Sequence, residues 1–240
     1  DYYRGNVLYT QNLIDGIKKY SKNFKKFILI SSQAAAGPCD EDMPKRESDR
    51  DNPISWYGSS KLMGEKRLIE SGLPYIILRP SGIYGALDYE FLPLFKMAKF
   101  GVHIMAGAGK NKLNLLHVSD LIQAIDKSIK TNLVNKTYYV TDGNEYTWRK
   151  LIDLVNFAVG KKAVKIPTPR FIAWIMGYFN SLLGRIIGRP FLLNKDKVKE
   201  GLQKFWIFNI SLIKNDLNFK PQVSPEKGLK ETYEWYKEKG

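Results

Sequence analysis

Cysteine is almost missing from this chain. Cys39 is the single one in 240 residues, so no internal disulfide can form, and with only two histidines, His103 and His117, ligands are too few for a structural zinc site. Thiol usage of this kind points to a reducing, cytoplasmic compartment. The first residues show no basic segment followed by an apolar run and a small-residue cleavage site, the pattern of a signal peptide. A clean apolar run long enough to span a bilayer is lacking too. The stretch from Phe171 to Leu193 comes nearest, but Asn180, Ser181, Arg185 and Arg189 interrupt it, which excludes stable insertion and leaves a buried or interfacial amphipathic helix pair. Acidic side chains are in short supply. The 24 Asp and Glu face 38 Lys and Arg, a net charge of +14 that favours anionic partners such as nucleotides, nucleic acid or an acidic membrane surface. The densest basic run, Lys18, Lys19, Lys22, Lys25 and Lys26, lacks the interleaved aromatics and glycines of a nucleic-acid module, so it reads as a solvated face and no nucleic-acid partner is expected.

What is present is a chain able to bury a substantial core, 44% hydrophobic and 13% aromatic. Residues 6–20 carry Val7, Leu13, Ile14 and Ile17 at helical spacing. Phe27-Ile28-Leu29-Ile30 is a short continuous apolar run ending in Ser31-Ser32, the mark of a strand buried on both faces in a parallel sheet. Residues 38–53 have no apolar period and predict a surface loop. A helix over 55–70 with Gly72 at its C-terminal end, and a strand over 75–78, then give strand, helix, strand. A third strand is predicted over 113–118, a helix from Ser119, its N-cap, to Ile129, and a fourth strand over 136–140. Thr147 caps a helix over 148–159, after which Pro167, Pro169 and segments rich in Trp, Phe and Ile suggest a smaller helical lobe. The alternation predicts an α/β fold.

Tyr57-Gly58-Ser59-Ser60-Lys61 sets a phenol and an ammonium four residues apart, on one face of a helix. A neighbouring Lys cation favours the phenolate and lowers the phenol's pKa toward use as a base. A hydroxyl such as Ser32, which lies at a strand end, would hold a substrate oxygen while Tyr57 exchanges its proton, as general acid–base catalysis requires. His117 at a strand end reads as a structural, hydrogen-bonded residue, His103 as a loop residue, and Cys39 as an unreactive or incidentally exposed thiol.

The order of Ser31-Ser32, Tyr57-x-x-x-Lys61 and Arg79-Pro80-Ser81-Gly82-Ile83-Tyr84-Gly85 resembles the extended short-chain dehydrogenases, the NAD-dependent epimerase/dehydratase family. Three further segments are similar to that family in the same order: Asn6 to Ile14, Leu116-His117-Val118-Ser119-Asp120-Leu121, and the tail from Leu217-Asn218-Phe219-Lys220-Pro221 to Tyr236, with Tyr9 standing where Gly is usual. The resemblance implies a Rossmann-like doubly wound sheet with a smaller substrate lobe. Residues 1–165 would form the NAD(P)-binding domain without its first strands, 84–112 would lean toward the substrate side, and 166–240 would form the substrate-binding lobe. It implies an oxidoreductase or epimerase/dehydratase with catalytic Ser32, Tyr57, Lys61 and Asn6. Ser31, Tyr57, Lys61, Pro80, Gly82 and Ile83 would meet the cofactor, NAD or NADP, and Gln33 and Tyr84 the substrate. A homodimer is among the assemblies open to such a protein.

Two departures bear on the substrate. Sugar-nucleotide epimerases carry Asn where this chain has Gly82, and Arg where it has Leu113. The motifs instead resemble the 3β-hydroxysteroid dehydrogenase and dihydroflavonol reductase branch, which implies a small, apolar hydroxyl or keto compound, and the aromatic stretch 171–191 suits one. A nucleotide sugar is the first alternative and a non-catalytic or nucleic-acid-binding relative the second. The Gly-x-x-Gly-x-x-Gly turn that cradles the cofactor pyrophosphate is not in these residues, and Gly107-Ala108-Gly109 follows no suitable strand, so a longer protein is expected.

Overall fold

The computed structural model describes residues 2–187 and 195–239. A π-helical turn, Arg4–Leu8, runs into α1 (Tyr9–Tyr20), followed by β1 (Phe27–Ile30), α2 (Gln33–Ala36), α3 (Trp56–Glu70) and β2 (Tyr75–Pro80). Next come β3 (Gly82–Tyr84), α4 (Leu92–Phe100), β4 (Val102–Ala106), β5 (Lys112–Leu113), β6 (Leu115–His117), α5 (Val118–Lys130) and β7 (Lys136–Val140). The remaining elements are β8 (Tyr146–Thr147), α6 (Trp148–Val159), β9 (Val164–Thr168), α7 (Arg170–Ile187), α8 (Lys195–Gly201), β10 (Phe205–Trp206), α9 (Ser211–Leu217) and α10 (Pro225–Lys239).

The central sheet has the order β1-β2-β7 and is parallel throughout, with Ile28 opposite Ile76 and Leu78 opposite Tyr138. Its middle strand shows why the apolar runs are continuous. Ile76 and Leu78 face a cluster with Leu116, Tyr138, Ile213 and Phe219, while Ile77 faces the other way, onto Ile14 of α1 and Leu68 of α3. Each such side chain contributes roughly 1.5–3 kcal/mol by leaving water, so both faces demand apolar residues. This is the doubly covered α/β sheet that the strand-helix-strand order predicts. A second cluster joins Tyr84, Phe95, Leu115, Leu151 and Val155 to Leu229 and Tyr236 of α10.

Several local expectations need correction. The strand foreseen over 113–118 is two strands, β5 and β6, separated at Asn114. That buried side chain donates to Asn144 O at 2.6 Å and accepts from Phe208 N at 2.6 Å, tying two other segments together in place of a continuous ladder. The cap of α5 is His117, whose Nδ1 accepts from Ser119 N at 3.3 Å, rather than Ser119 itself. His103 is no loop residue: it lies on β4, fully buried, with Nε2 3.0 Å from Asn156 Oδ1. Cys39 needs no correction: it is half-buried, its thiol donates to Ile207 O at 2.9 Å, and burial pushes its pKa up, which suits an unreactive thiol.

The 38–53 segment is the surface loop expected, but two of its charges turn inward. Lys45 is buried, donating to Ala36 O at 2.7 Å, and Glu47 accepts from Tyr139 N at 3.0 Å. Residues 205–219, expected in a separate lobe, return to the sheet, where Phe208, Ile210, Ile213, Leu217 and Phe219 share the β2–β7 core. Of the aromatic stretch 171–191, α7 covers the part up to Ile187 and the rest lies outside the described residues. Among the described residues, no helix is long and apolar enough to cross a membrane.

Arg79, at the end of β2, is buried and doubly paired. Its guanidinium meets Asp51 at 2.7 and 2.9 Å and Glu65 of α3 at 3.0 and 2.5 Å. The two carboxylates hold the guanidinium above its already high pKa against the cost of burial. Ser31 Oγ donates to the same Glu65. The cluster therefore pins the ends of β1 and β2, the 38–53 segment and the middle of α3 to one another.

Removing one partner of a buried pair strands the other charge, so Arg79→Met is expected to cost about 3–5 kcal/mol in urea unfolding, whereas breaking the exposed Lys130–Asp126 pair with Lys130→Met costs about 0.5 kcal/mol or less. Burial pushes both His103 and His117 below their ordinary pKa. As pH falls through about 6.5 the unfolded chain takes up protons before the folded one does, so stability held above that value declines toward acid, and Tm measured across pH 5 to 8 checks the slope.

Candidate active site

The site is assembled where β1 and β2 end. Ser32 leaves β1 in an extended conformation and caps α2, its Oγ accepting from Ala34 N at 3.1 Å. Ser55 caps α3 in the same way, accepting from Gly58 N at 3.0 Å, so Tyr57 stands in the first turn of that helix. Gly58 sets how closely the two capped helices approach. A Cβ there would stand 2.2 Å from Ala34 O, so any larger residue would force α3 away from α2 and Tyr57 away from Ser32. Gly64, two turns on, is similarly closed against Asn6 O at 2.3 Å.

One turn after Tyr57, Lys61 donates to Ile30 O, the last carbonyl of β1, at 3.1 Å, and its ammonium lies 5.9 Å from the Tyr57 ring centre. Glu65, a turn further along the same face, belongs to the Arg79 cluster. Asn6 is not on the phenol: its Nδ2 donates to Ser60 Oγ at 2.9 Å, and Ser60 in turn donates to Tyr57 O at 2.8 Å. Its place is behind the helix that carries Tyr57. Ser31 Oγ is likewise turned to Glu65.

The electrostatics differ from the sequence expectation. Burial is the largest influence on Tyr57 and raises its phenol above the ordinary value; hydrogen bonding with Ser32 and the Lys197 ammonium pull it down. Lys61 was expected to do the lowering. Burial instead weakens its own hold on a proton, which Glu65 partly restores.

Residues that the sequence did not single out close the outer side. Lys197 of α8 lies 5.9 Å from the Tyr57 ring centre and reaches Glu90 at 3.2 Å. Asp196 accepts from Trp56 N at 3.0 Å and Glu200 from Ser55 Oγ at 2.5 Å, docking α8 on the start of α3, and Tyr2 meets the Tyr57 ring edge at 5.4 Å. The only signal for them was a charged cluster, Lys195 to Glu200, following an aromatic helix.

Pro80, Gly82 and Ile83 continue from β2 into β3, and no atom stands closer than 4.0 Å to where a Gly82 Cβ would be. Ser81 Oγ and Gln33 Oε1 are buried without a hydrogen-bond partner among the described residues. Tyr84 is placed otherwise than a substrate residue would be. It is fully buried in the second core cluster, packed on His117 at 5.3 Å, and Gly228 leaves room for its ring.

A parallel sheet with polar groups gathered at the carboxyl ends of its strands is the arrangement of dinucleotide-dependent α/β proteins. A profile of the NAD dependent epimerase/dehydratase family matches residues 1–140, and the chain belongs to that family. It is 26% identical over 216 residues to a UDP-glucose 4-epimerase of Vibrio cholerae, covering 87% of this chain and 62% of that protein's length, and so spans less than two thirds of it. It is 24% identical over 256 residues to a decarboxylating sterol-4-alpha-carboxylate 3-dehydrogenase of Saccharomyces cerevisiae, covering 97% of this chain and 71% of that one. Among solved structures, a UDP-glucose 4-epimerase of Thermotoga maritima with UDP-glucose superposes with a TM-score of 0.76 at 22% identity, covering 99% of this chain and 71% of the other. A dTDP-glucose 4,6-dehydratase of Bacillus anthracis in complex with NAD gives 0.75 at 23% identity, covering 98% and 68%.

If Lys197 helps hold the Tyr57 phenol down against burial, Lys197→Met raises the phenol's pKa further. An NMR titration of ring-labelled tyrosine reads this directly, and an unchanged value removes Lys197 from the site's electrostatics.

Proposed function

We propose that the full protein is an NAD-dependent enzyme that works on a hydroxyl or keto carbon of a small molecule. The reading is carried by one observation: Ser32 at the end of β1, Lys61 fixed on Ile30 O, and the Tyr57 ring 5.9 Å from the Lys61 ammonium gather at one strand end. In this reading Tyr57 takes or returns the proton of the substrate oxygen, and Ser32 donates a hydrogen bond to that oxygen. Lys61 spends one of its three donors on the strand end, leaving others for ribose hydroxyls.

NAD, when bound, supplies the hydride acceptor. The residues present fit its nicotinamide half, since Ser81 Oγ and Gln33 Oε1, buried without a hydrogen-bond partner among the described residues, follow the ends of β2 and β1. The NAD in the solved relatives supports NAD over NADP. Asn6 and Ser31 act through Ser60 and Glu65 as positioning residues. Residues 84–112 with α7 and α8 supply the substrate side, where Lys197 and Tyr2 border the phenol.

For the substrate, Gly82 and Leu113 favour an apolar hydroxyl or keto compound. The second reading, a nucleotide sugar, is favoured by the similarity to proteins named UDP-glucose 4-epimerase and dTDP-D-glucose 4,6-dehydratase. Thermal shifts of the full protein with NAD separate them, because only a ligand of the folded state raises Tm. An increase with a sterol-like ketone and none with UDP-glucose supports the first reading, and the reverse supports the second.

Tyr57→Phe is expected to lower turnover by about 10²–10⁴-fold while the protein still folds and binds NADH. Retained turnover would displace Tyr57 from the chemistry.

A further inference from the structure

The two-stranded sheet of β4 and β9 pairs Val102 with Val164 and Ile104 with Ile166. Alternation puts these four on one face and His103 and Met105 on the other. The inward pair is fully buried, whereas all four outward residues are exposed. From β9 the chain passes directly into α7, which packs on β4 and carries apolar residues at 171, 174, 175 and 178, the spacing of a single helix face. Such a stripe ordinarily faces a core. Here Phe171, Ile175, Tyr178 and Phe179, with Ile104 and Val164, remain 57–64% exposed.

The surrounding charge is predominantly basic. Residues 91–112 contain four Lys and no acid, of which Lys112 is paired with Asp42 and Glu145, and 148–187 contain seven Lys and Arg against Asp153, which is itself paired with Lys165. Lys99, Lys161, Lys162 and Arg170 are exposed beside the apolar face. Two occupants are disfavoured by this combination. A second copy would set the same basic rim against itself, and nucleic acid would leave the apolar stripe in water.

We propose that this face of β4, β9 and α7 docks the protein on an anionic lipid bilayer, lying in the interface and not crossing it. An aromatic apolar stripe with a basic border matches what such an interface offers: acyl boundary beneath, anionic headgroups around. The docked helix sits next to α8, whose Lys197 borders Tyr57, so that an apolar substrate dissolved in the membrane would reach the proposed site from that side.

The test is co-sedimentation of the full protein with vesicles of phosphatidylcholine alone and with roughly 30% phosphatidylserine. The expected result is binding to the anionic vesicles at least about tenfold stronger than to the neutral ones, weakened on going from about 0.1 M to about 0.5 M salt. Ile175→Glu, a change on an exposed position that leaves the fold unaltered by circular dichroism, should reduce that binding about tenfold or more, as should the double change Lys161→Glu and Lys162→Glu. Absence of vesicle binding, equal binding to both vesicle types, or binding indifferent to Ile175→Glu each overturns the proposal. So does self-association lost in Ile175→Glu without vesicle binding, which would make the occupant a second copy.

Discussion

Arg79 carries a permanent charge into the interior, and the chain around it is arranged to answer that charge. Asp51 comes from the 38–53 segment and Glu65 from α3, and Glu65 also receives the hydroxyl of Ser31. A buried ion cluster is a weak source of net stability, because desolvation offsets most of the attraction. Its geometric demand is strong, since a guanidinium accepts carboxylates only in a narrow fork. That demand reaches the site directly. Ser31 adjoins Ser32, and Glu65 lies on α3 one turn beyond Lys61 and two beyond Tyr57. Fixing Ser31 and Glu65 on one cation therefore fixes the strand end and the helix face that carry Ser32, Tyr57 and Lys61.

The glycines complete this constraint from the opposite side. Gly58 lets α3 touch α2, and Gly64 lets it touch the Asn6 turn, so both glycines are packing devices and not filler. Ser60, buried between Asn6 and the Tyr57 carbonyl, is another. The polar groups that face outward, by contrast, come from α8. The candidate site is thus bounded by β1, β2 and α3 on one side and by α8 on the other.

The sheet was legible because burial on both faces imposes continuous apolar runs, as at 27–30 and 75–78, and because Ser55, Thr147 and Gly72 carry clear helix-end chemistry. The placement of Ser32, Tyr57 and Lys61 around one strand end was legible through spacing and order. What sequence could not supply was partnership at a distance. Lys45, Glu47 and Asp51 looked like solvated charges because their partners, Ala36 O, Tyr139 N and Arg79, are remote or belong to the main chain. Asn114 broke an apparent strand for the same reason. The Tyr57 phenol was expected to be lowered by Lys61, but the desolvation that raises it depends on Tyr2 and α8 folding over it, which no local pattern announces.

The central claim is that one buried cluster presents Ser32, Tyr57 and Lys61 to a nicotinamide at the end of β1. A crystal structure of the full protein with NAD tests it most directly. The account predicts that Lys61 Nζ stays on Ile30 O while reaching the nicotinamide ribose, with the ring over the Ser32–Tyr57 edge and Arg79 still held by Glu65 and Asp51. A nicotinamide bound away from Tyr57, or a Lys61 that leaves the strand end with the Arg79 cluster opened, would contradict it.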